Sequence, residues 1–451
     1  MTPVANTKNS KNNRREVSAN PRRLALESLV KWEKLGKYAS LEAAATLDTG
    51  KLTGADRGLY SSLVYGVVER AVTLDYIIDR YCSTPAAKLE PFVRAALRLG
   101  LYQLLYMDRV PDHAAVSETV SITPKRASGL VNGVLRSFLR GEKKFDLPDR
   151  DKDVAAYFSV KYSVPYEMCD FFISSYGEAE AEGVLSNSFG GDRLCLRVNT
   201  LKCTADEAAD KLRSMGVEVR KSDIVPHVLI TDSGTEFLKG IEEGLWYVQD
   251  EASAAAVAVL SPEKGSTVLD MCAAPGGKSF GCAITMENCG TVRSFDIHEN
   301  KLSLIRSGAE RLGIDIITAA VGDGKAPAEE LLETGDFVIC DAPCSGLGVI
   351  SKKPDIRYKP LADIKGLPQV QYDILCGAAK CVKEGGVLMY STCTLIPAEN
   401  EGVFERFLGE HPEFEPVPFE LCGEGSGGYA TLFPHKTGTD GFFISKMRRR
   451  V

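Results

Sequence analysis

A chain of 451 residues is too long for one ordinary core, so two or three domains are expected. Apolar residues make up 44% and charged residues 25%, the balance of a globular protein, and no stretch approaches the roughly 20 uninterrupted apolar residues of a membrane span. The net charge of −7 argues weakly against a protein coated in nucleic acid, but an acidic total does not exclude a local basic groove.

The amino terminus, MTPVANTKNSKNNRREVSANPRR, has basic residues without an apolar run behind them. It is therefore not a secretory signal, and residues 1–20 read as a disordered basic arm. From 21 to 145 the chain reads as consecutive amphipathic helices, with apolar residues at three- and four-residue spacing in RLALESLVKW, in 55–78 and in PFVRAALRLGLYQLLYM. GLVNGVLRSFL closes that set, and no alternating β-branched run interrupts it, which predicts an all-helical domain. The charged segment 141–153 reads as a linker. Residues 146–245 are mixed: a helix over 165–176, strand-like LCLRVNT, a helix over 204–215, then the strands GVEVRKS and HVLIT. This predicts a small α+β module.

From 246 to 451 strands and helices alternate, which predicts a parallel doubly wound sheet. The expected strands are 267–271, 291–296, 316–321, 337–341 and 387–391, with an edge hairpin that includes 441–447. The helices between them are expected to begin near Lys278, Glu299, Ala326, Leu367 and Pro397.

Thirteen cysteines is an odd count with no C-x-x-C pair, and the five histidines (His113, His227, His298, His411, His435) stand apart from one another. Neither a disulfide framework nor a metal site is expected, and a reducing cytoplasm fits best. Read singly, Cys340, Cys376 and Cys381 look like packing residues.

In VLDMCAAPGGKS (268–279) an apolar strand, a small-residue turn and a helix start follow one another. Such a turn exposes backbone N–H groups and lets a ligand come close. The phosphate-binding G-x-x-x-x-G-K-[ST] reading fails, because its first glycine would fall on Cys272. The alternative is a Rossmann-like site for an adenosyl ligand. It asks for an acid at the end of the second strand, and Asp296 stands there; Asp323, after the third strand, is placed to accept from an adenine amino group. Helix capping or turn chemistry is the plainer role for each aspartate alone.

ICDAPCSGLGV carries Asp341 and Cys344 at the end of the fourth strand, and LMYSTCTL carries Cys393 at the end of the fifth. Carbon 5 of cytosine does not attack a sulfonium methyl directly. A thiolate that adds to carbon 6 makes it an enamine-like nucleophile. Two cysteines and an acid beside a methyl-donor pocket match that chemistry, with Asp341 stabilising charge near N3 and the amino group and the second thiol aiding release.

The residues at this point resemble the Sun/RsmB group of bacterial RNA 5-methylcytosine methyltransferases. The matching stretches are LRVNTLK, QDEAS, DMCAAPGGKS, DAPCSGLGV, PDIRYK, YSTCT, ENE and DGFF, with DRGLYSSLVYGVVER, LGLYQLLYMDRVPDHAAVSETV and VNGVLR resembling a NusB-like helical domain. The resemblance covers nearly the whole chain after the arm. It implies S-adenosylmethionine as methyl donor, held by Cys272, Ala273, Ala274, Pro275, Gly276, Gly277, Lys278, Asp296, Asp323 and Asp341. It implies Cys393 as nucleophile, Cys344 as the release cysteine and Asp341 beside the base, with no metal. Cys344 stands in a P-C motif and Cys393 in a T-C motif; DNA cytosine methyltransferases carry the nucleophile in the P-C motif, so the presence of both motifs favours RNA.

The implied substrate is 16S ribosomal RNA with a splayed-out base, acted on by a cytoplasmic monomer. Lys8, Lys11, Arg14, Arg15, Arg22 and Arg23 would contact phosphates, and Arg357, Tyr358 and Lys359 would line the RNA groove. The rival readings are a transfer-RNA methyltransferase with the same chemistry and a non-catalytic RNA-binding factor.

Overall fold

The computed structural model describes residues 19–36, 39–190, 193–232 and 236–451. The chain falls into two compact units, one ending at Pro148 and the other starting at Asp149.

The first unit contains the helices α1 (Pro21–Leu35), α2 (Ala39–Asp48), α3 (Ala55–Tyr81), α4 (Pro91–Tyr106), α5 (Asp112–Ile122) and α6 (Lys125–Arg140). Asn20 caps α1 by accepting from the backbone N–H of Arg22 and Arg23, and Pro21 follows at the first helical position. Leu26, Leu29, Leu63, Val67, Leu97, Leu101 and Leu135 are fully buried between the helices. Gly66 lies under the Tyr102 ring and Gly100 against Leu135, so α4 approaches α3 and α6 at distances that a Cβ would not allow. Arg98 is buried and meets Asp75 through two hydrogen bonds of 2.7 and 2.5 Å. Of the basic residues expected to contact phosphates, Lys8, Lys11, Arg14 and Arg15 lie outside the described residues. Arg22 and Arg23 open α1, where Arg22 Nε donates to Gln103 Oε1 at 2.7 Å.

The second unit begins with α7 (Val154–Tyr162), α8 (Tyr166–Tyr176) and α9 (Glu178–Ser186). A small module follows: β1 (Leu194–Val198), α10 (Ala205–Ser214), β2 (Arg220–Lys221), β3 (Val228–Thr231), α11 (Leu238–Glu242) and β4 (Trp246–Val248), its antiparallel strands ordered β2-β3-β1-β4. The GVEVRKS strand shrinks to Arg220–Lys221, an exposed edge pairing. Trp246 anchors the module: it is fully buried, donates to Phe237 O at 3.0 Å, and its indole occupies the space where a side chain on Gly240 would stand. Trp246→Ala is expected to lower stability by about 3–5 kcal/mol, read from urea unfolding.

The remaining elements are α12 (Glu251–Leu260), β5 (Thr267–Asp270), α13 (Gly277–Thr285), β6 (Thr291–Asp296), α14 (Glu299–Leu312), β7 (Ile317–Val321), β8 (Gly335–Asp341), α15 (Leu361–Ile364), α16 (Leu367–Lys380), β9 (Val382–Thr392), α17 (Glu401–Glu410), β10 (Phe414–Pro416), the hairpin β11 (Phe419–Leu421) and β12 (Glu424–Ser426), β13 (Tyr429–Leu432), α18 (Pro434–Thr437) and β14 (Phe442–Arg449). The large sheet runs β10-β14-β9-β8-β5-β6-β7, with β13 on β14. From β9 to β7 every pairing is parallel, whereas β14 runs antiparallel to its neighbours. The helix expected near Ala326 is absent. Pro327 biases Ala326 to extended backbone, and only a single 3₁₀ turn, Glu329–Leu331, fits before β8.

Candidate active site

The parallel strands all deliver their carboxyl ends to one edge of the sheet. The loop after β5 turns back sharply enough that Ala273 N–H donates to Phe295 O of β6 (2.7 Å), and the Ala274–Pro275 peptide is cis. Gly276 sits at φ 108°, and a Cβ there would meet the Phe280 ring at 2.5 Å. α13 then starts at Gly277, so its free N–H groups face the same edge.

Acidic side chains surround this loop. Burial drives the Cys272 thiol well above its ordinary value, and the negative charges of Asp270, Asp341, Asp296 and Asp323 push it the same way. Burial likewise raises Asp270 to about 6, with Asp341 adding to the shift. Four aspartates whose charge reaches Cys272 disfavour a polyphosphate and suit a cationic sulfonium carrying ribose hydroxyls. The residues present therefore fit an adenosyl sulfonium donor. Asp296 is buried at the end of β6 and accepts from His298 N–H (2.9 Å), while Asp323 is exposed and accepts from Lys325 N–H (3.0 Å). Each also makes the local turn bond that its residue type favours.

Asp341 ends β8 opposite Ser391 of β9. Its two oxygens are fixed by Ser391 Oγ (2.7 Å) and Lys278 Nζ (2.6 Å). Lys278 is almost completely buried; it also reaches Ser253 Oγ (3.0 Å) and stands 5.1 Å from the centre of the Phe442 ring. The same chain of contacts runs on through Gln249 to Arg197 of β1, whose Nη1 donates to Gln249 Oε1 at 3.0 Å.

Cys344 and Cys393 meet directly, Sγ to Sγ at 3.1 Å. Cys393 is lowered from the ordinary thiol value, first by the hydrogen bond from Cys344 and further by the charges of Lys278 and Lys353, against burial and the Asp341 charge. Cys344 moves well upward because it donates that bond and because it is buried. The opposite directions of the two shifts make Cys393 the more acidic thiol of the pair. Around it, Glu399 accepts from Ser345 N–H (2.9 Å) and Gln371 (2.7 Å), Ser345 meets Thr394 at 2.6 Å, and Gly348 N–H donates to Cys393 O at 3.0 Å.

A family model described as 16S rRNA methyltransferase RsmB/F matches residues 257–448; a NusB family model matches 19–140, and a ferredoxin-like domain of RsmF/B-type methyltransferases matches 165–237. The probable ribosomal RNA small subunit methyltransferase B of Bacillus subtilis is 37% identical over 95% of this chain and 98% of its own. The chain belongs to the RsmB/F family of 16S rRNA methyltransferases. A second relative, the probable small subunit methyltransferase B of Synechocystis, is 35% identical over 95% of this chain and 99% of its own. The solved structure of PH0851 superposes with a TM-score of 0.78 and 28% identity, covering 96% of this chain and all of that one.

As an RsmB/F member it is an S-adenosylmethionine-dependent rRNA methyltransferase with a NusB-like helical domain and a ferredoxin-like module. One expected interface residue of this RsmB/F chain is displaced from its expected place. Arg357 is fully buried and donates to the carbonyls of Pro354, Ser163 and Ser188, so it staples the turn after Cys344 onto α7–α9 and does not line a groove. Lys359 Nζ donates to Ser345 O (2.8 Å). Gln249, Ser253, Ser391 and Glu399 lie in QDEAS, YSTCT and ENE, stretches that do not by themselves say what their polar residues touch, and Gln371 has no sequence signal. Of the three presumed packing cysteines, Cys340 and Cys381 are fully buried, whereas Cys376 is half-buried with its sulfur 3.4 Å from His411 Nε2.

Proposed function

We propose that this RsmB/F enzyme methylates carbon 5 of a cytosine in 16S ribosomal RNA through a transient covalent bond from Cys393. The paired thiols carry the reading: a lowered Cys393 and a raised Cys344 in contact are a nucleophile and its proton-bearing neighbour. Cys393 Sγ adds to carbon 6 of the ring, and the electron pair gathers toward N3 and carbon 5. Asp341, oriented by Lys278 and Ser391, would accept from the pyrimidine's amino group and so hold the ring in place, while N3 takes a proton from solvent as the electron pair builds there. The 272–278 loop, Asp296 and Asp323 would hold S-adenosylmethionine, the aspartates at its ribose and adenine, and it would supply the methyl group. The proton on carbon 5 then leaves to solvent, the ring double bond re-forms, and the carbon–sulfur bond breaks as Cys344 hydrogen-bonds to the departing sulfur.

The 16S assignment leans on the relatives' names and on the NusB-like unit. It is tested by incubating the protein with methyl-labelled S-adenosylmethionine and unmodified 16S or transfer RNA transcripts. Label in 5-methylcytosine from 16S RNA is the expected result. Label only in transfer RNA would keep the chemistry and overturn the substrate, and RNA binding without label would favour a non-catalytic factor.

A further inference from the structure

Behind the thiol pair, three segments far apart in sequence are tied at one point. Lys352 Nζ lies 2.5 Å from Asp250 Oδ2 and 2.7 Å from Asp440 Oδ2. Asp250 precedes α12 and caps it through Ala252 N–H (2.9 Å), Lys352 follows Cys344 on the same loop, and Asp440 leads into β14. Both carboxylates are largely shielded from water, at 16% and 8% exposure, while the lysine side chain reaches in from the surface at 42%.

The tie continues to the nucleophile through the backbone. Gly441, next to Asp440, donates its N–H to Gly348 O at 2.9 Å, and Gly348 donates its own N–H to Cys393 O at 3.0 Å. The approach is so close that a Cβ on Gly348 would stand 1.9 Å from Gly441 O. Lys352 is bonded in the same loop, its N–H meeting Val349 O at 3.1 Å. A rigid path therefore runs from the Lys352 ammonium through Asp440, Gly441 and Gly348 to the carbonyl of Cys393. Two shielded carboxylates facing each other need the cation between them. Burial, with the Asp250 charge beside it, raises Asp440 to about 7.

We propose that Lys352 is a positioning residue for the Cys393–Cys344 pair: through Asp250 and Asp440 it holds the Cys344 loop in the register at which Gly348 fixes the Cys393 backbone. The proposal deepens the covalent reading of the site and rests on it. The effect of Lys352 reaches the reaction through the thiol contact.

The test uses the full-length enzyme with Lys352→Met, Lys352→Arg and Asp440→Asn. Alkylation of Cys393 by iodoacetamide is followed across pH by peptide mass mapping, and methyl transfer is measured in parallel. In Lys352→Met the alkylation midpoint is expected to move to higher pH, because Cys344 no longer sits where it can donate, and kcat is expected to fall by about a hundredfold while KM for S-adenosylmethionine stays within about threefold. Lys352→Arg should restore both, which a loss of packing would not explain. A folded Lys352→Met enzyme with wild-type alkylation and kcat would overturn the proposal. Should that variant not fold, Asp440→Asn, which keeps the Asp250 pair, decides: a shifted Cys393 profile supports the latch and an unchanged one sinks it. Alkylation reports on the thiol without RNA, so it stands apart from the covalent reading, which fails instead if Cys393→Ala still methylates.

Discussion

Cys393→Ala is expected to abolish methyl transfer, with kcat down by about four orders of magnitude or more, and to leave RNA and S-adenosylmethionine binding close to wild type. The size of the loss follows from the substrate. Without a nucleophile at carbon 6, carbon 5 has no enamine character, and orienting donor and base does not replace the missing electron pair. Cys344→Ala should behave oppositely in one respect: the adduct still forms but leaves slowly, so an RNA–protein species that survives denaturing electrophoresis accumulates. That variant also carries a pH signature. Cys344 donates the bond that holds Cys393 below its ordinary value, so losing it returns the Cys393 thiol upward. A hydrogen bond to a charged group contributes about 1.5–3 kcal/mol, so the acidic limb of the single-turnover rate should move up by about one to two pH units. Equal adduct levels and an unshifted limb in Cys344→Ala would contradict the assigned roles.

How far the site could be read from sequence depended on whether neighbours in space were also neighbours in the chain. The strand–turn–helix at 267–285 is local, and its small residues announce the tight approach that Gly276 makes in three dimensions. Asp341, Cys344 and Cys393 were legible because strand ends in such sheets meet at one edge. The Lys278–Asp341 ion pair was not, since 63 residues separate its partners and a lysine in a glycine loop reads most simply as a ligand contact. Arg357 misled for a related reason: a charged residue in a turn suggests the surface, and only the fold shows three carbonyls converging on its guanidinium. α12 escaped notice because EASAAAVAVL is buried nearly all round and carries no polar stripe to mark a helical period. The helix expected near Ala326 lost to Pro327 and to the short distance before β8.

These long-range contacts explain why a small antiparallel module precedes the methyltransferase sheet. Its first strand places Arg197 against Gln249 and the Gly281 carbonyl, and Gln249 passes the constraint through Ser253 to Lys278. Tyr247 of β4 adds a bond to Gly277 O at 3.2 Å, at the very start of α13. The module thus braces the donor loop from behind, and the LRVNT and QDEAS stretches owe their polar residues to that task. Under the proposed mechanism, a site that aligns a thiol, a methyl donor and a splayed-out base gains from bracing on rigid strands and helices.

The Lys278–Asp341 pair gives the second large effect, and its two halves are not equivalent. Lys278 is 7% exposed and Asp341 32%, so removing the acid strands a cation away from water, whereas removing the lysine leaves a carboxylate that water and Ser391 still reach. Asp341→Asn is therefore expected to cost more stability than Lys278→Met, about 2 kcal/mol against less than about 1 after allowing for the partial exposure of the acid. Activity should not follow that order. Under the proposed mechanism Asp341→Asn weakens the acceptor that orients the pyrimidine's amino group, and a drop in kcat of about a hundred- to a thousandfold is expected. Lys278→Met keeps that acceptor but frees its orientation, and it also removes one of the cations that favour the Cys393 thiolate, so a drop of comparable size should come with an acidic limb shifted to higher pH. Urea midpoints and pH–rate profiles on the two variants separate these effects. A Lys278→Met enzyme with an unshifted limb would show that the lysine orients Asp341 without reaching the thiol, and a Asp341→Asn enzyme with near-normal kcat would remove the carboxylate from the chemistry altogether.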